Sequence, residues 1–263
     1  MSVVSRLFVA LGAALTVALL AGCATVPSED RHPDDPWEAF NRPVFEFNDD
    51  LDRTFLRPAA VQYQRLPSMV RTGVGNFFSN LDDVTVLFNN LLQGNLEGAA
   101  NDTGRLLFNT TFGLFGLIDV ASHMDLPKNN ADFGQTLGVW GVSSGPYLQI
   151  PFLGPSTARD APARLVDSQT NPVNHPAIRN DRSGLWYSMM ATSVVDTRAG
   201  LIAVEPMLEQ ISDDRYIALR QAYLQRREFL IHGGTADEAA DAMLDELREL
   251  EELEALEAME AEE

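Results

Sequence analysis

The pentapeptide Gly141-Val142-Ser143-Ser144-Gly145 fits the G-x-S-x-G pattern of a nucleophile elbow, with Ser143 in the reactive slot. An acyl-transfer triad would need an acid and a histidine beside it, and Asp160 or Asp167 with His175 or His232 supply those types. The elbow also demands a strand before the serine and a helix right after it. Here Gly145-Pro146 and then Pro151 follow, and no long helix fits between them. An envelope-anchored serine lipase or esterase using Ser143 therefore stands as the alternative reading. The four histidines (His32, His123, His175, His232) lack ligand spacing, and there is no HExxH motif, cysteine cluster or phosphate-cradling glycine loop. The sequence points to a protein that is not an enzyme and holds no metal or dissociable cofactor.

The lone cysteine carries a different chemistry. A positive start with Arg6 precedes a mostly apolar run from Leu7 to Ala21, too short for the roughly 20 residues that cross a bilayer. It ends in Leu20-Ala21-Gly22-Cys23, an aliphatic residue and two small ones before a thiol, which is the pattern of a bacterial lipobox. Residues 1–22 read as a cleaved signal, and Cys23 as the attachment point for diacylglycerol and an amide-linked acyl chain. Ala24, rather than Asp, directs such a lipoprotein to the outer membrane. Each buried methylene contributes about 0.8 kcal/mol, so several chains hold firmly where one holds marginally.

Charge and composition narrow the partners. The 263 residues carry a net charge of −19, with 13 acids and one base in residues 237–263. So acidic a chain excludes nucleic acid and binding to anionic surfaces through a basic patch. Twelve of the 14 phenylalanines fall between Phe40 and Phe152, which places the apolar work in the first two thirds.

These residues need elements to hold them. Residues 23–36, rich in proline and charge, read as a flexible tether. Phe40, Val44, Phe47, Leu51 and Phe55 recur at helical spacing, with Pro58 as the stop. A second helix runs from Ser68 to Gln93, with Phe77, Leu81, Val84, Phe88, Leu91 and Leu92 on one face. Its other face bears Asn76, Asn80, Asp83, Asn89 and Asn90, more neutral amide than charge. A Gly-punctuated apolar run covers Leu106 to Ile118. Residues 127–162 hold five glycines and five prolines and read as a long ordered loop, a kind of segment that is usually functional. Helical patterning returns near Leu185–Met190 and again before Gly233-Gly234, where Tyr216, Leu219, Tyr223 and Phe229 form the apolar face. Thr235 and Glu238 form a capping box for a last acidic helix, residues 235–263. No strand alternation stands out, so the fold class is all-α.

Several segments together resemble one family. DPWEAFNRPVFEFNDDLD (35–52), NFFSNLDD (76–83), NNLLQG (89–94), FGQTLGVWGVSSGPYLQIPFLGPSTARD (133–160) and YIALRQAYLQRREFLIHGG (216–234) are similar, in order, to the MlaA (VacJ) family of outer-membrane lipoproteins. The resemblance spans about residues 35–234, and the acidic tail lies outside it.

That resemblance implies a ring of amphipathic helices, residues 37–234, embedded in the outer membrane around a narrow channel. It implies removal of mislocalised phospholipids from the outer leaflet and transfer to a periplasmic carrier, MlaC, beside a trimeric porin. The Gly/Pro-rich loop 138–154 would then line or hinge the passage, with Gly141, Gly145, Pro146 and Tyr147 as movers and Phe40-Asn41 as a latch. The apolar faces of residues 37–56 and 77–118 would sit in the bilayer.

Overall fold

The computed structural model describes residues 33–205 and 214–233. Cys23, the signal, most of the tether, the Thr235–Glu238 capping box and the acidic tail lie outside the described residues. Among the described residues the regular structure is helical apart from one hairpin, in the order α1 (Glu38–Leu51), a π turn (Asp52–Leu56), α2 (Arg57–Tyr63), α3 (Ser68–Gln93), α4 (Leu96–Thr111), α5 (Phe133–Val139), β1 (Tyr147–Ile150), β2 (Gly154–Thr157), α6 (Asp160–Thr170), α7 (Pro176–Arg179), α8 (Ser183–Leu201) and α9 (Arg215–Ile231).

Pro58 does not stop the first helix. The Arg57 N–H donates to the Asp52 carbonyl five residues back, opening a π turn. That wider turn accommodates the proline ring and its missing donor, so the helix continues into α2. The second helix keeps the bounds its pattern predicts. Gly94 ends it at φ +74°, and the Asn95 side chain caps α4 by accepting from the Gly98 N–H at 3.0 Å. So short a link makes α3 and α4 an antiparallel pair.

The stretch 127–162 holds more structure than its composition suggests. Asp132 caps the short helix α5 by accepting from the Gln135 N–H at 2.8 Å. β1 and β2 then pair antiparallel, Tyr147 opposite Thr157 and Ile150 opposite Gly154. Prolines at 146, 151 and 155 and the glycine at 154 conceal this hairpin, since Tyr147-Leu148-Gln149-Ile150 shows no clear alternation.

Packing partners close a circuit. α1 lies on β1, β2 on α9, α9 on α5, α5 on α3, α3 on α8 and α8 on α2, which returns to α1 through the π turn. No helix among the described residues is long and apolar enough to cross a membrane.

The side-chain distribution is inverted for a water-soluble domain. Among the described residues, seven of the 12 buried hydrophobic ones are alanines and none is phenylalanine, whereas 20 buried residues are polar or charged. On the surface of the described residues, 27 large apolar side chains are exposed. Scattered exposed apolar residues are ordinary, but an interior this polar beneath a surface this apolar is not. Helix α3 shows the arrangement in miniature. It buries Asn80, Asp83, Asn89 and Asn90, and it exposes Phe88 and Leu91.

Candidate functional site

The polar interior is built from amides and paired charges. Asn41 on α1 is fully buried. Its Nδ2 donates to Asp35 Oδ1 at 2.8 Å and to the Tyr147 carbonyl at 3.0 Å, and its Oδ1 accepts from the Gln149 N–H at 2.8 Å. The carboxamide thus occupies the place of a neighbouring strand along β1. Asn48 clamps the turn that follows β1, donating to the Ile150 carbonyl at 2.9 Å and accepting from the Phe152 N–H at 2.8 Å. Sequence reasoning missed Asn48. The available signal was the dipeptide Phe-Asn, repeated at 40–41 and 47–48.

Asp35 ties the start of the body to its last described helix. Its Oδ2 accepts from the Tyr216 hydroxyl and from Arg220 Nη1, the latter at 3.0 Å. Burial, together with the Asp35 carboxylate, raises the Tyr216 phenol far above its usual range. Helix α9 was expected to bury Tyr216, Leu219, Tyr223 and Phe229. It buries Tyr216, Ala218, Arg220, Arg227 and Leu230, because its arginines reach inward to carboxylates. Arg227 bridges Asp132 and Asp160, with Nη2 donating to Asp132 Oδ1 at 3.0 Å and Nε 3.0 Å from Asp160 Oδ2. Burial opposes ionisation of Asp132, but the hydrogen bond from Arg227 prevails and holds its carboxyl below the usual range.

A ladder of neutral groups crosses between α3, α5 and α6. Gln93 Nε2 donates to Thr136 Oγ1, Thr136 Oγ1 donates to Asn89 Oδ1, and Asn89 Nδ2 donates to Asp167 Oδ1, each at 3.0 Å. Asp167 borders a cavity of about 360 Å³ lined also by Asp82, Thr85, Asp132, Arg164 and Asn171. Burial, with the nearby Asp132 charge, pushes the Asp167 carboxyl up to about 6 despite the hydrogen bond from Asn89.

The structure brings some of the expected residues together. Tyr147 is fully buried under Asn41, and its ring meets those of Tyr216 and Tyr223 edge-on. Gly145 (φ +65°) and Pro146 lead into it, the Pro146 carbonyl accepting from the Ala158 N–H at 3.0 Å. Gly141 stands apart as the cap of α5 at φ +90°, its N–H donating to the Gly138 carbonyl at 2.8 Å. Phe40 is half-buried beside Asn41.

The elbow reading of Ser143 finds no support in the geometry. Ser143 is exposed, preceded by a helix and followed by a strand, the reverse of the required order. Its nominated partners are engaged elsewhere. Asp160 binds Arg159 and Tyr223, Asp167 accepts from Asn89 and the Phe133 N–H, and His175 caps α7. His232 lies 3.6 Å from Glu228. Among the described residues no group of three acids, histidines or cysteines is placed to hold a metal.

Comparison with known proteins adds to this geometry. A family model described as MlaA lipoprotein matches residues 33–230. The chain is 36% identical over 245 residues to the intermembrane phospholipid transport system lipoprotein MlaA of Escherichia coli (strain K12), covering 89% of this chain and 95% of that protein. The protein of the same description from Haemophilus influenzae is 31% identical over 245 residues, 90% of this chain and 96% of the relative. A Rickettsia conorii protein without an assigned role is 36% identical over 195 residues, 74% of this chain and 76% of its own. A solved structure, described as the structural basis for maintenance of bacterial outer membrane lipid asymmetry, matches at a TM-score of 0.64. It is 34% identical and covers 75% of this chain and 98% of the other.

Proposed function

Because the chain belongs to the MlaA lipoprotein family, we propose that it is the outer-membrane lipoprotein of an intermembrane phospholipid transport (Mla) system. In this role it removes mislocalised phospholipids from the outer leaflet and passes them to a periplasmic carrier of the MlaC kind, which maintains lipid asymmetry. The single observation that carries the reading is the inverted side-chain distribution: amides and ion pairs inside a closed circuit of helices, large apolar residues outside.

The inversion answers a physical problem. Exposing a 16-carbon acyl chain to water costs on the order of 12 kcal/mol at about 0.8 per methylene. Burying a charged headgroup bare in hydrocarbon is costly too. A ring that offers polar groups to the head while the tails stay among apolar side chains lowers both costs. No nucleotide motif is present, so the step is passive and its direction comes from downstream partners. Residues 1–22 are the signal, residues 23–36 the tether, and Cys23 carries the acyl chains that hold the body on the periplasmic side of the outer membrane. The clamp of Asn41 on Tyr147, with Gly145 and Pro146 beside it, is the place where the hairpin would swing, and Phe40 rides on the same turn. A trimeric porin alongside completes the assembly.

Surface-exposed phospholipid measured in cells with and without the protein tests this. The reading expects outer-leaflet phospholipid to rise when the protein is removed. An unchanged leaflet distribution overturns it and leaves a structural anchor.

A further inference from the structure

Four described residues other than glycine have positive φ: Leu114 (53°), Phe115 (58°), Asp125 (57°) and Phe152 (66°). Aspartate tolerates that region, but bulky apolar residues are strained there. Leu114, Phe115 and Phe152 nevertheless stand 61, 74 and 77% exposed, and Leu153, next to Phe152, is 62% exposed. The strain is therefore not offset by packing these side chains inside the chain.

Both turns are held by hydrogen bonds, and the first is also tightly packed. At Gly113 an added Cβ would fall 2.1 Å from the Ile118 carbonyl oxygen, and at Gly116 2.5 Å from Asn80 Cβ. The Phe112, Phe115, Gly116 and Ile118 N–H groups donate to the carbonyls of Phe108, Thr110, Asn109 and Gly113 at 2.8–3.1 Å. In the hairpin turn Asn48 accepts from the Phe152 N–H, and the Leu153 N–H donates to the Ile150 carbonyl at 3.2 Å. Arg164 donates to the carbonyls of Leu153 at 3.0 Å and Pro155 at 2.5 Å. Neither Leu106–Ile118 nor Tyr147–Thr157 contains a charged residue.

A turn that closes off its own backbone and turns bare hydrocarbon outward suits a medium that offers no hydrogen bonds. We propose that the turns at residues 112–118 and 150–154 are preformed wedges that insert among the acyl chains of phospholipids. This rests on the membrane-embedded reading above. It adds which two points of the ring penetrate, and that they do so without folding on contact.

The test uses the full-length acylated protein in vesicles of phosphatidylethanolamine with phosphatidylglycerol as the minor lipid. With Cys23 lipidated, an introduced cysteine is the one free thiol. Nitroxides on Phe115→Cys and Phe152→Cys are compared with Leu91→Cys on the outer face of α3 and Glu228→Cys on α9. Leu153→Cys, at a position without positive φ, reports the second turn should Phe152→Cys misfold. Broadening by oxygen several-fold above that by an aqueous nickel chelate is expected at 115, 152 and 153, with the reverse at 228. Water-like labels on the turns beside a hydrocarbon-like Leu91→Cys overturn the wedge and leave embedding intact. Turn labels shielded from both reagents reveal a protein neighbour and also overturn it. A water-like Leu91→Cys removes the embedding reading, and the wedge falls with it.

Discussion

Asn41 and Asn48 stand seven residues apart on α1, and Asn41 grips the edge of β1 while Asn48 grips the turn that follows it, each carboxamide giving one donor and one acceptor. Seven residues of helix rise about 10.5 Å, so the two clamps hold the hairpin at two separate points. Helix α1 thus fixes both the strand and its turn, and the hairpin cannot slide without breaking both clamps.

Replacing Asn41 with Ala removes three hydrogen bonds and leaves the Gln149 N–H and the Tyr147 carbonyl without this partner in a buried site. The expected loss of stability is about 1–3 kcal/mol, read from chemical unfolding in mild detergent. Deleting Phe40 and Asn41 together rotates the rest of α1 by about 200°, at about 100° per residue, and displaces Asn48 as well. Cells carrying that deletion should become sensitive to detergent. Unchanged sensitivity at normal protein levels would speak against a latch.

Arg227 holds two acids from two different elements, Asp132 and Asp160. Arg227→Ala leaves Asp132 without its cation and Asp160 with Arg159 as its one remaining cation, and stability should fall by about 3–5 kcal/mol. Proteolysis of the folded protein would register the change as faster cleavage. Arg227→Lys should recover little, since a single ammonium cannot reproduce the planar fork.

Asp167 gives a pH signature whose sign is fixed by its raised carboxyl. Below the unfolded value near 4 the group is protonated in both states and costs nothing. As pH climbs toward about 6 the unfolded chain ionises first, so folding loses stability through that window and stays lower above it. Asp167→Asn keeps an oxygen for the two bonds that meet at Oδ1, from Asn89 and the Phe133 N–H. The variant should therefore match the parent near pH 4 and exceed it above pH 6. Parallel stability curves across that range would contradict the assignment.

Ser143→Ala separates the transport reading from a lipase. The side chain is exposed in a linker, so leaflet distribution and protein abundance should both stay at parental levels. Outright loss of function on removing this one hydroxyl would restore the nucleophile.

Two glycines should fail for different reasons. Gly113→Ala drives a methyl into the Ile118 and Asn109 carbonyls and should cost about 1–3 kcal/mol or more. Gly141→Ala meets open space but keeps φ at +90°, so the backbone alone should cost about 1–2 kcal/mol. Unfolding midpoints rank the two.

Legibility in the sequence followed the physics of each signal. Helix α3 announced both its ends, because periodic apolar residues and a terminal Gly94-Asn95 agree locally. The continuation through Pro58 was hidden, since a π turn leaves no mark in composition. The hairpin was hidden as well: prolines and glycines mask its register, and what stabilises its edge is side chains from a distant helix. The inward arginines of α9 were hidden too, because charge usually marks the outside and only the carboxylates of other elements reverse that rule. Phe40, Asn41 and Tyr147 lay within reach of pattern and resemblance, and Asn48 was marked only by the repeated Phe-Asn dipeptide, too short a signal to stand out.

The alanine-lined, amide-filled interior reverses the usual map of mutational tolerance. Outward positions such as Phe55, Phe88 or Leu107 ask only for greasiness, so leucine, isoleucine and methionine should interchange there freely. Inward positions ask for one donor and acceptor geometry, and near-isosteres such as Asn41→Asp or Thr136→Val should be rejected. A saturation scan of this chain would thus find its strictest sites among asparagines and threonines, and its most permissive among phenylalanines and leucines.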